Sequence, residues 1–303
     1  MTEASADTGM RPRELAPGQR TCVWVAGTDS APPRLVHETS HLLLEAPNFG
    51  PDGRSLLLNG AGRLWRLELG DGRAAEPKEV PLHGVPPINN DHVVSPDGRH
   101  VYLSGMDGHL YRAPLSGGAG TRLTGEDGSL HFLHGIGPDG GTLAYVAIPR
   151  GTGGGPGRLA LMPAEGGPGR LVDTGDGHLD GPEYAPDGRW ILFNSEAFTT
   201  APGHAQIVRM PAGGGPLERL VDSETVDWFP HLSPDGRFAT YLSFPAGTLG
   251  HPADLDVTVH LVSTEDWRTP LRSFPLFGGQ GTLNVNGWSP DSSRFAFVSY
   301  PVS

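Results

Sequence analysis

Seven side chains of this sequence carry the chemistry worth testing: His92, His134, Glu183 and His231, and beside them Asp91, Asp180 and Asp227. Three imidazoles and a carboxylate, each delivered by a separate strand, form a donor set suited to a divalent metal ion. The three aspartates immediately ahead of those strands could act as acid-base groups or orient the histidines. Each also has a plainer role: histidines of this kind commonly bond nearby backbone, and aspartates commonly cap exposed N–H groups. Asn90, Trp228, Asn284 and Asn286 fall in the same segments as candidate ligand contacts. Trp228 and Phe229 could stack on a sugar ring or simply pack between sheets.

No contiguous ligand pair such as HExxH or CxxC supports the metal. A GxSxG elbow and a GxxxxGK[ST] loop are also missing, which leaves serine hydrolysis and phosphate cradling without support. The single cysteine, Cys22, permits neither an internal disulfide nor a thiolate cluster. A formal net charge of -12, with 22 Lys and Arg, argues against nucleic acid and anionic lipid as partners. His204 and His251 fall in long loops and are expected to be solvated.

The elements that hold these residues are announced by a repeated turn. FGPDG, VSPDG, IGPDG, YAPDG, LSPDG and WSPDS place an aspartate at 52, 97, 139, 187, 235 and 291. Pro presets φ, Asp bonds the backbone ahead and Gly accepts a positive φ, so each mark is a tight hairpin turn. Steps of 42 to 56 residues are those of propeller blades. Around each mark lie an inner strand, a second strand such as RSLLLNG or RWILFNS, a third such as GRLWRLEL or QIVRMPA, and a weaker fourth such as KEVPL or ERLVDS. The sixth unit stops after RFAFVSYPVS, and TCVWVAG and PRLVHET at the other end offer its missing strands. The expected fold is therefore all-β: a six-bladed propeller with four antiparallel strands per blade, closed by the N-terminal strands. It occupies residues 19–303, after a tail of residues 1–18 whose polar, proline-containing composition predicts disorder.

The repeated turns and the stretches HLDGPEYAPDGRWILFNSE, DWFPHLSPDGRFATYLSF, GHPADLDV and GGQGTLNVNGWSPDSSRFAFVSY resemble the PD40, or WD40-like, repeat of stand-alone bacterial TolB-like propellers. The resemblance implies the propeller fold from about residue 20 onwards and says little of function, because propellers host binding modules and enzymes alike. It also implies, through the oligogalacturonate lyases with their related repeats, a metal held by His-rich central residues. TolB itself carries a signal peptide and an N-terminal α/β domain, neither of which is evident in this sequence.

In such a ring the PDG turns share one face, here called the bottom. The segments leading into the inner strands, INNDH, HFLH, GHLDGPE, VDWFPH and LNVN, meet at the top with the loops joining second and third strands. Those loops are short in the first two blades and long in the next three, as PRGTGGGPG, EAFTTAPGHA and PAGTLGHPADLD, which suggests a cleft or merely floppy glycine. Two functions follow. One is a non-catalytic module, a monomer binding a protein, peptide or glycan on the top face without a cofactor. The other is a metal-dependent carbohydrate lyase or hydrolase. Without an apolar leader or membrane-length stretch, a cytoplasmic protein is expected, or a periplasmic one if the start is truncated.

Overall fold

The computed structural model describes residues 9–70, 76–151 and 155–302. Five sheets radiate from a common axis, each with four antiparallel strands. Blade 1 runs outward through Glu45–Phe49, Ser55–Gly60, Arg63–Glu68 and Lys78–Glu79. Blade 2 uses Ile88–Val94, His100–Gly105, Leu110–Pro114 and Thr121–Arg122. Blade 3 uses Ser129–Ile136, Thr142–Pro149, Arg158–Pro163 and Arg170–Leu171, and blade 4 uses Leu179–Tyr184, Trp190–Ser195, Gln206–Pro211 and Glu218–Arg219. Blade 5 is deeper, with Val226–Leu232, Phe238–Phe244, Ala253–Ser263 and an eight-residue outer strand Arg272–Gly279.

The sixth blade joins the chain ends as expected. Thr21–Gly27 lies between Arg294–Ser299 and Arg34–Thr39, with Cys22 opposite Ser299 and Gly27 opposite Arg294. Its innermost position is taken by the segment ending at Trp288, attached through a single bridge to Phe295 and by the Ala296 N–H to the Gly287 carbonyl. Burying Val23 and Val298 completely contributes roughly 1.5–3 kcal/mol for each side chain, so the clasp is held by core as well as by its ladder.

Second strands are sandwiched between neighbouring blades and must be apolar on both faces. Ser55–Gly60 is buried throughout, with Leu56, Leu57 and Leu58 at 0% exposure. Outer strands need no such pattern, and in blades 1 to 4 they shrink to two residues. A short parallel pairing of Leu82–His83 with Gly118–Ala119 ties blade 1 to blade 2.

The turn chemistry repeats around the ring. The first Oδ of Asp52, Asp97, Asp139, Asp187, Asp235 and Asp291 accepts the N–H two residues ahead in every blade. Glycine follows the aspartate at φ of +66° to +74° in five blades, and in the sixth Ser292 takes φ +60°. The six turn prolines, from Pro51 to Pro290, all border one mouth of the central channel, so the marks do share the bottom face.

The expected disordered tail needs correction over residues 9–18; residues 1–8 lie outside the described residues. Arg13 reaches into the ring to Glu45, and Gln19 bonds Asp254 and closes a turn on Ala16. A polar composition did not prevent ordering here, because buried carboxylate and carbonyl groups on the ring accept the tail's donors.

Candidate functional site

Each inner strand begins at the top mouth and kinks before its turn. Register shifts interrupt the first and second strands of blades 1 to 5, between Glu45 and Asn48, Ile88 and His92, Leu133 and Gly135, Asp180 and Glu183, and Trp228 and His231. Ala46, Gly181 and Phe229, at equivalent places, adopt φ of +53°, +64° and +56°. These bulges turn the preceding side chain towards the axis. Six residues, each seven positions before its turn aspartate, therefore form one ring: Glu45, Asn90, Phe132, Asp180, Trp228 and Asn284. They line a top cavity of about 380 Å³, together with Asp91, His134, His178, His251, Gln280 and the tail residues Met10, Arg11 and Arg13.

The electrostatic centre is His134. Its Nε2 donates to Asp180 Oδ1 at 2.8 Å, with Asp91 Oδ1 at 4.0 Å and Asp180 Oδ2 at 3.5 Å from His251 Nε2. Burial works against the His134 charge, but Asp91 and Asp180 raise it to about 9. Asp180 is also opposed by burial, yet His134 and His251 hold it well below the usual carboxylate range. Asp91, bonded to the Asn89 amide at 2.6 Å, is raised by burial, with the Asp180 charge adding to it.

A third carboxylate stands across the mouth. Glu45 accepts Arg13 Nη1 at 2.7 Å and the Asn59 amide at 3.0 Å, while Asn90 is 3.4 Å away. Burial pushes Glu45 up even with Arg13 beside it. Gln280 links Asn90, Asn284 and His251, and His251 lies against Trp228 with ring centroids 4.5 Å apart. Trp228 Nε1 and Asn59 Oδ1 are buried on this wall without a hydrogen-bond partner.

The four residues expected to share a metal do not converge. His231 Nδ1 meets Glu183 Oε2 at 2.6 Å and its Nε2 meets the Leu283 carbonyl at 2.9 Å. His134 belongs to the aspartate pair above. His92 is fully buried near the Leu57 backbone, with neither ring nitrogen in a well-formed hydrogen bond, and burial drives it down to about 4. No group of three or more His, Cys, Asp or Glu side chains suited to an ion occurs among the described residues. The separation has a local cause: His92 and His134 precede their turn aspartates by five residues, Glu183 and His231 by four, and adjacent strand residues point to opposite sides.

The other expectations divide similarly. Asp91, Asp180, Asn90, Trp228 and Asn284 line the top cavity. Asp227 does not: fully buried, it accepts the hydroxyls of Ser223, Thr225 and Ser243 at 2.6, 2.9 and 2.5 Å and pins the loop between blades 4 and 5. Asn286 borders the bottom mouth and donates to Glu183 at 2.7 Å. His204, expected in solvent, faces the Ser223 and Thr225 carbonyls at 3.0 and 3.1 Å. His251, also expected in solvent, is part of the cavity wall; the long blade 5 loop returns it over the mouth. Glu45, Phe132, Gln280 and Arg13 were missed, although the seven-residue offset was available for the first two. Within the glycine-rich stretch of blade 3, residues 152–154 lie outside the described residues.

No family model matches the sequence. The chain is 39% identical over 272 residues to an uncharacterized protein of Agrobacterium fabrum, covering 88% of each. The structure of a TolB-like protein from Agrobacterium tumefaciens superposes with a TM-score of 0.84 at 38% identity, over 93% of this chain and 99% of that one. TolB from Acinetobacter baumannii matches at 18% identity and a TM-score of 0.53, over 90% of this chain and 56% of that one. Oligogalacturonate lyase in complex with manganese matches at 17% identity and the same TM-score, over 78% and 67%, a likeness of fold alone. The chain belongs to the TolB-like family of six-bladed β-propellers.

Proposed function

We propose that the protein is a binding module whose top cavity receives a peptide or another polar ligand rich in hydrogen-bond donors. The observation that carries this reading is the ring itself: six equivalent backbone positions bear two carboxylates, two amides and two aromatics, converging on one mouth. A purely structural ring would have no need for so unlike a set. Buried carboxylates at Glu45 and Asp91, with the partly buried Asp180 beside them, favour donors, while Trp228 and Phe132 supply apolar walls.

Peptide and glycan arrays probed with the wild type and with an Asp180→Asn/His251→Ala double variant test it. Ligands retained by the wild type should be lost by the double variant. Undiminished retention by the variant would overturn the assignment of the top cavity.

A second reading has one observation in its favour. Asp91 is raised and Asp180 depressed on either side of His134, a division that separates a proton donor from an acceptor. Turnover of a glycan panel that is abolished by Asp91→Asn would establish this carbohydrate-directed enzyme; no turnover by the wild type would remove it.

A further inference from the structure

Arg13 is seated at the cavity mouth in the way a bound ligand's arginine would be. Its Nη1 donates to Glu45 Oε1 and to the Gln280 carbonyl, both at 2.7 Å, and its guanidinium carbon lies 5.3 Å from the centre of the Tyr300 ring. Carboxylate, carbonyl and aromatic face are the three partners a guanidinium uses best, and here three different parts of the ring supply them. The Glu45 side chain is only 4% exposed, whereas the Arg13 side chain is 24% exposed and comes from a segment outside the blades. Receptor and occupant thus differ: the carboxylate is built into blade 1, and the guanidinium arrives on a tether.

The cavity that holds this seat has spare capacity. Asn59 gives its amide to Glu45 Oε2 and leaves its own oxygen unpartnered and buried, and Trp228 Nε1 is likewise unpartnered. Both residues line the same cavity as Met10, Arg11 and Arg13. A tail that merely plugged the mouth would not account for these remaining donor and acceptor positions.

We propose that the Glu45 side of the cavity is a receptor for an arginine side chain of a peptide ligand, and that Arg13 occupies it as a tethered stand-in which the ligand displaces. The proposal rests on the binding role of the top cavity and specifies its ligand chemistry. A tethered competitor at an effective concentration of about a millimolar weakens an added arginine peptide by the ratio of that concentration to the seat's own Kd, so for a seat of roughly 0.1 mM affinity or better its removal should raise apparent affinity by at least about tenfold.

The test uses the full-length chain and a synthetic peptide of residues 9–15, GMRPREL, with a second peptide carrying Gln in place of Arg13. Calorimetry or fluorescence anisotropy would compare wild type, Arg13→Ala and Arg13→Ala/Glu45→Gln, each checked for native melting; Arg13→Gln replaces the alanine variant should that one fail to fold. Expected is binding of the arginine peptide to the single variant at least about tenfold tighter than to wild type. The glutamine peptide, which keeps Arg11, should bind weakly, and the Glu45→Gln change should abolish the gain. Equal affinity of wild type and variant, equal affinity for the two peptides, or failure of the arginine peptide to bind the folded single variant would overturn the proposal. Array ligands that still map to the cavity in that event would leave the binding role standing and remove only the arginine receptor.

Discussion

Replacing Asp180 by Asn should flatten the stability of the protein between neutral and alkaline pH. His134 is raised from 6.5 to about 9 against the desolvation of its buried site. A group whose pKa is raised by folding stabilises fully below its unfolded value and loses that contribution as pH climbs through its folded value. The window is therefore pH 6.5 to about 9, and the gap corresponds to roughly 3 kcal/mol. Asp91 raises it by its charge, and Asp180 by its charge together with the hydrogen bond at 2.8 Å, so Asp180→Asn should remove about 2 kcal/mol near pH 6 and almost nothing by about pH 10. Urea unfolding across that range would measure both curves; the Cys22 thiol, pushed above its ordinary 9.0 by burial, is shared by both proteins and cancels in the difference. Parallel curves, or a wild type whose stability does not fall between pH 6.5 and 9, would refute the charge pairing around His134.

Other substitutions address the rest of the framework. Asp227→Ala should cost about 1–3 kcal/mol in denaturant unfolding, because it removes the shared acceptor of the buried Ser243 hydroxyl and of the partly exposed Ser223 and Thr225 hydroxyls; a cost below about 0.5 kcal/mol would mean the network is not built as described. His92→Leu should be neutral or stabilising, with its advantage growing as pH falls from 6.5 towards about 4, since the folded state resists protonating the native imidazole. Thermal unfolding at pH 5 and pH 7 would show it, and a strong loss at both would point to an unseen partner for the ring. Deleting residues 21–39 should abolish cooperative folding, because Arg294–Ser299 would lose its only ladder partner among the described residues apart from the Trp288 bridge. Circular dichroism melting would settle that, and an unchanged midpoint would contradict closure by the N-terminal strands.

The blade count, the closure and the common face of the turns were legible because each rests on local chemistry that repeats. Pro-Asp-Gly fixes a turn wherever it stands, and the apolar second strands follow from burial on both sides. The side chains around the axis were harder. Matching His92, His134, Glu183 and His231 within one residue is too loose in a strand, where one residue reverses direction, and the bulges at Ala46, Gly181 and Phe229 add a further turn that no composition announces. Counting back seven residues from each turn aspartate would have isolated Glu45, Asn90, Phe132, Asp180, Trp228 and Asn284 from sequence alone. His251 and Arg13 had no such marker, since both reach the cavity on irregular chain whose path depends on tertiary contacts.

A crystal structure of the wild type with an array-selected ligand would locate the binding site. Binding through the top cavity requires the ligand to lie there, in contact with Glu45, Asp180 or His251. A ligand seated instead at the opposite mouth, among Asn48, Glu183 and Asn286, would contradict it.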